Sequence, residues 1–170
     1  MLWEEHIAWT RMFIISMAEG LADLDLVTGR LLRNPADMAA AFRVFYGDGV
    51  AAEFKSLLTD HLTIAAQLVK AAKAGDAAAA EEAEERWYAN ADAIVAFLNR
   101  INPNWPQETM RRMWHEHLRL TKAEAVARLN KDYAADIALY DEIEKQALCM
   151  ADSLTEGIVE QFPEVFPAGR

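Results

Sequence analysis

Between Phe54 and Ala72 the residues Phe54, Leu57, Leu58, Ala65, Leu68 and Ala72 recur at the three-to-four spacing of a single helix face. His61 lies at the centre of that face, where an ionisable ring must give up its water. A stripe of this length commits the segment to a buried helix. The rest of the chain has to supply the faces that cover it.

Other segments carry matching stripes. From Leu2 to Leu32 the series Trp3, Ile7, Thr10, Ile14, Met17, Leu21, Leu24, Thr28, Leu31 reads as one amphipathic helix, with His6 beside Trp3 and Thr10. Asn34-Pro35-Ala36-Asp37 supplies a cap, a first-turn proline and an early acid for a short second helix that ends near Tyr46, at Gly47-Asp48-Gly49. A third helix runs from Val50 to Lys73 and closes at Gly75, with Asp76 capping a fourth over Ala77 to Ile101. In that fourth helix the Glu-rich start is a solvated face, and Trp87, Ala91, Ile94 and Leu98 form the core stripe. Asn102-Pro103-Asn104-Trp105-Pro106 breaks it before a fifth, Gln107 to Leu120, with Met110, Met113, Trp114 and His117 on one side. Thr121-Lys122-Ala123-Glu124 reads as a capping box opening a sixth helix that runs to Phe162, with Phe166 tucking back onto the bundle.

These lengths predict an all-α fold: one domain over residues 1–170, an up-down-up-down four-helix bundle of about six helices, in which two rods are kinked at the Gly47 and Pro103 breaks. Composition agrees, since only seven Gly and five Pro interrupt a chain that is 53% hydrophobic. The net charge of −10 disfavours nucleic acid and anionic membrane surfaces. A single cysteine, Cys149, excludes an internal disulfide and reads as an inert buried thiol. No basic leader and no apolar run long enough to span a bilayer is present, so a cytoplasmic setting is expected.

Stacking the rods at about 1.5 Å per residue brings His6, His61, the Trp87 to Asp92 stretch and the Cys149 to Asp152 stretch to one height. The candidate ligands for a divalent metal are therefore His6, His61, Asn90, Asp92 and Asp152, because bundles build metal sites from inward imidazoles and carboxylates of facing helices. By the same estimate Asp25 and Asp136 lie toward the other end of the bundle, nearer His117 than His61, either as a second polar layer or as buried hydrogen-bonded acids that fix register; Glu144 follows one turn after Tyr140. The internal echo Trp3-x-Glu5-His6 and Trp114-x-Glu116-His117, with Asp60-His61 as a shorter copy, ties three histidines together.

The known signatures are absent. The residues three before His6, His61, His115 and His117 are Trp3, Leu58, Arg112 and Trp114, so no Glu-x-x-His di-iron motif exists. Those four after them, Thr10, Ala65, Arg119 and Thr121, are not hemerythrin-like ligands, and His115-Glu116-His117 lacks the four-residue spacing of a zincin. Gly47-Asp48-Gly49 follows no strand and is a helix break.

Trp3 to Arg11, Arg86 to Asp92, Asn102-Pro103-Asn104-Trp105 and Met150-Ala151-Asp152 resemble segments of a family of small bacterial all-helical proteins of undetermined function. That resemblance implies a bacterial cytoplasmic protein and no mechanism; the family's transferase and kinase labels find no nucleotide-binding loop here. Two functions remain. One is a bundle whose internal histidine layer binds a divalent metal or small ligand, with metal-dependent hydrolase or oxidoreductase chemistry if a coordination position is open. The alternative is a structural or protein-interaction bundle, for which a homodimer is one form, whose histidines serve only as core residues.

Overall fold

A computed structural model describes residues 1–166. Among them the chain is an all-α bundle of six helices: α1 (Leu2–Glu19), α2 (Leu24–Leu31), α3 (Asn34–Ala74), α4 (Ala77–Ile101), α5 (Gln107–Leu129) and α6 (Tyr133–Gln161). None is long and apolar enough to cross a membrane.

The direction of each rod follows from its polar partners. Asn34 and His61 lie on either side of Gly47, yet Asn34 bonds to His6 and His61 stacks on it, so the two halves of α3 double back. Phe42 stacks on Phe54 at 4.0 Å across that reversal. The second half of α3 is antiparallel to α4, with Arg86 on Gln67 and Arg100 on Glu53. α4 is antiparallel to α5, with Arg111 on Asp92 and Lys122 on Glu84. α5 is antiparallel to α6, with Gln146 on the Met113 carbonyl and Arg128 on Asp136. Consequently α1, the second half of α3 and α5 all point the same way. Each brings one histidine to the same level.

The up-and-down alternation expected from the stripes is present, but its reversals are more numerous. Gly20, at φ 68°, ends α1 where a continuous helix to Leu32 is expected; a left-handed residue there costs glycine little and lets α2 fold back, Arg30 reaching Glu5 at 2.7 Å. Gly47, at φ 79° and ψ 176°, is a reversal and not a mild kink. So is the Asn102–Pro106 segment. There Trp105 and Asn102 are fully buried, the indole N–H donating to the Ser153 carbonyl and the Asn102 amide to the Gly157 carbonyl. A methyl group at Gly157 would lie 2.0 Å from the Trp105 indole nitrogen, so only glycine admits that ring.

Thr121 and Glu124 are not a capping box. α5 continues through them to Leu129, and both are buried. The chain turns instead at Lys131, a non-glycine residue at φ 61°, after which Asp132 caps α6 by accepting from the Ala135 N–H. Three expectations hold: Gly75 and Asp76 separate α3 from α4, the latter residue capping through Ala79; α6 stops at Phe162; and Phe166 stacks on Phe45. Cys149, by contrast, is exposed.

Candidate metal centre

Three imidazoles meet in the interior. His6 of α1, His61 of α3 and His117 of α5 are each at most 4% exposed, and one ring nitrogen from each lies within 4.8 Å of the other two. Ring centroids are 5.6 Å apart for His6 and His117, and 6.3 Å for each of the other two pairs. No other group of three or more potential metal ligands converges in this way among the described residues.

The tautomer of each ring is dictated by a neighbouring carboxamide. His6 Nδ1 lies 3.1 Å from Asn34 Oδ1, His61 Nδ1 3.3 Å from Asn90 Oδ1, and His117 Nδ1 3.1 Å from Gln146 Oε1. Each of those amides is itself held, because its NH2 donates to a backbone carbonyl: Asn34 to Leu2, Asn90 to Leu57, and Gln146 to Met113. An amide nitrogen committed to a carbonyl leaves only the oxygen for the imidazole, so Nδ1 carries the proton and donates. All three Nε2 atoms are then left as lone-pair acceptors. This is the second-shell arrangement by which metal-ligating histidines are oriented.

The environment keeps the rings neutral. Burial, against a smaller opposing effect of Asn34, lowers the His6 pKa to about 4. Burial and then the charge that His6 would carry lower His117 to about 3, despite its bond to Gln146. His61 falls well below the usual imidazole value through burial first and then through both neighbours. Three neutral imidazoles with facing lone pairs form a soft-to-borderline N3 donor set, suited to zinc or a similar divalent ion. With metal–nitrogen bonds of 2.0–2.1 Å, tetrahedral geometry would need nitrogens roughly 3.4 Å apart, closer than the 4.8 Å within which they gather here.

Tryptophans wall the cluster. Trp3 lies edge-on to His6 at 5.5 Å, while Trp87 and Trp114 both approach His61 at 5.4 Å. The indole N–H groups of Trp87 and Trp114 are buried and have no hydrogen-bond partner among the described residues. Beyond the cluster, a cavity of about 420 Å³ is lined by Thr10, Ala65 and Thr121, each one turn past its histidine on the three parallel helices, and by Trp87.

His6 and His61, both singled out in the sequence, belong to this cluster. Asn90 does too, as the prop of His61 and not as a ligand. Asp92 and Asp152 do not. Asp92 is 42% exposed and bound by Arg111 and His115, and Asp152 is on the surface. His117, placed by the height estimate in another layer, is the third member; its position on the Met110-Met113-Trp114 stripe and the Trp-x-Glu-His echo were its signals. Asn34 and Gln146 gave none, and Asn34 in particular is a prop where a helix cap is expected.

The second polar layer is also real but differently composed. Asp136 is buried against Arg11 at 2.7 Å, Arg11 also binds buried Glu124, and Arg128 links Asp136 to Glu19. Asp25 and Glu144 are exposed.

No protein-family model, curated protein or solved structure matches this chain.

Proposed function

We propose that this protein binds a divalent transition metal, zinc by the chemistry of its donors, through Nε2 of His6, His61 and His117. The observation that carries the reading is the set of three amide props, Asn34, Asn90 and Gln146. Each fixes its ring with the lone pair inward. A packing role for the histidines accounts for burial, but it leaves three acceptors facing one another with no donor among the described residues, an arrangement a cation resolves.

Three protein ligands leave one position open, the ligand count of catalytic rather than structural zinc sites. A metal held there would acidify a bound water toward neutral pH, so hydrolytic chemistry is the first activity to assay. The acidic surface, with net charge −10, goes with a cytoplasmic protein that acts on neither nucleic acid nor anionic membrane.

The test is elemental analysis of untagged protein purified without chelator and, if empty, titrated with zinc. Near-stoichiometric metal in the natural chain and in Asp92→Ala and Asp152→Ala, and its loss in His6→Ala, His61→Ala and His117→Ala, is the expected result. Failure of the natural chain to take up zinc, or uptake unaffected by the histidine variants, overturns the reading.

A further inference from the structure

The cavity above the histidine layer has the chemistry of a ligand site. Its walls are almost entirely aliphatic and aromatic, from Phe13, Ile14, Leu62 and Val69 among others, and its volume of about 420 Å³ suits a small organic molecule. Its two polar atoms of interest are at the histidine end. Trp87 is 2% exposed and Thr121 is 7% exposed; each lines the cavity and carries a buried polar atom, indole Nε1 or Oγ1, without a partner among the described residues. Native proteins seldom leave such atoms unpaired, and both can donate. Thr10, the other hydroxyl in the wall, is already spent on the His6 carbonyl. At the far rim Ala72, Ala77, Glu81 and Val126 are exposed, so the cavity opens to solvent between the end of α3, the start of α4 and the end of α5. Lys122 beside that rim is neutralised by both oxygens of Glu84 at 2.6 Å and offers no free cation.

From this we infer that the cavity takes a medium-chain carboxylate, with its alkyl tail along the apolar wall and its head on Trp87 and Thr121 beside the histidines. A carboxylate presents two acceptor oxygens to two orphan donors. It also brings the negative charge that a dication held by three neutral imidazoles lacks, and in this respect the inference rests on the metal reading. The tail and the two donors do not depend on the metal.

The experiment is calorimetric titration of the metal-free and zinc-supplied protein with octanoate, 1-octanol and acetate. Octanoate is expected to bind both forms, at least tenfold more tightly with zinc, and acetate to bind about three-thousandfold more weakly, since it lacks six methylenes that contribute ~0.8 kcal/mol each when buried. Thr121→Val, which keeps the shape and removes the hydroxyl, should weaken octanoate about tenfold in both forms and leave 1-octanol less affected. Ala66→Leu and Ala80→Leu fill the cavity from two different helices away from the histidines; either, shown to be folded by circular dichroism, should abolish octanoate binding without changing metal content. If zinc is not taken up but octanoate still binds the metal-free protein and is lost in the filled variants, the metal reading falls and the cavity assignment stands. If octanoate binds neither form, or binds the filled variants equally well, or is matched by acetate, the assignment is wrong.

Discussion

Two polar layers cross the core of this bundle, and they solve the problem of buried polarity in opposite ways. In the layer of Arg11, Glu124, Asp136 and Arg128 every charge faces an opposite one: Arg11 bridges Glu124 and Asp136, Arg128 shares Asp136, and Arg11 lies over the Tyr140 ring at 4.8 Å. Each carboxylate there has a cationic partner, and among the buried polar atoms of these four residues only Arg128 Nε lacks one. In the layer of His6, His61 and His117 the outer nitrogens are matched one by one to Asn34, Asn90 and Gln146, while the inner ones meet only each other. A closed network fixes register and packing. Three imidazole acceptors brought together are a donor set that a cation would complete. The contrast separates a structural polar cluster from a binding one where burial alone does not, since Glu124 and Asp136 are as buried as the three histidines.

Acid should strain this contrast most. In the metal-free protein the folded pKa values of His6 and His117, about 4 and about 3, lie below the ordinary 6.5, and His61 is lowered too. The unfolded chain therefore binds more protons, and stability is lost as pH falls from about 6.5 toward those values. Glu124 acts the other way: its folded pKa, raised from 4.5 to about 7 by burial against the pull of Arg11, makes the native state the better proton binder between those limits. With three imidazoles against one carboxyl, the net loss on acidification from pH 6.5 to 4.5 should reach several kcal/mol. Urea unfolding across that range measures it, and a flat profile would mean that the rings are not held neutral.

Next in size is the removal of the central cation of the closed layer. Arg11→Ala strands buried Glu124 and leaves Asp136 only Arg128, and should cost about 3–5 kcal/mol. Asp92→Ala, which breaks surface pairs with Arg111 and His115, should cost about 1 kcal/mol or less. Equal losses in the two variants would remove the distinction between the layers.

Zinc should act on one layer only. At a free concentration about a thousand times its Kd it should stabilise the fold by about 4 kcal/mol, visible as a raised Tm. His117→Ala should abolish the response, whereas Arg11→Met, though less stable, should keep it. A zinc response that disappears with Arg11 and survives without His117 would place the ion in the other layer.

The smallest effect sharpens the role of the props. Asn90→Ala or Gln146→Ala frees the tautomer of His61 or His117 and should weaken zinc roughly 10–100-fold, as read by competition with a chromogenic chelator. Unchanged affinity in both would mean that the rings orient themselves.

Several parts of this architecture are readable without coordinates, and the misreadings have identifiable causes. His6, His61 and His117 all stand out because each interrupts an apolar stripe, and the Trp-x-Glu-His echo links two of them. Their common height is hidden by two turns. Lys131 has a side chain that gives no sign of a left-handed backbone, so α5 and α6 read with the wrong boundary. The Pro103–Pro106 break reads as a kink within one rod, and it is a reversal. Correcting both brings His117 level with His61 and turns Asp152 out to solvent. Asn34 illustrates a different limit: before Pro35 it has every local mark of a cap, and only a helix from elsewhere in the chain makes it a partner for His6.

The sequence by itself determined the helical class, most helix bodies and His6 and His61 as core-facing residues, with His117 on the Met110-Met113-Trp114 side of α5, because helix propensity and apolar spacing are local properties carried by neighbouring residues. Which rods lie side by side, that three parallel helices bring their imidazoles together, and that Asn34, Asn90 and Gln146 turn those lone pairs inward were decided only by the tertiary structure. Those relations join residues far apart in the chain through reversals whose backbone angles a side chain need not announce.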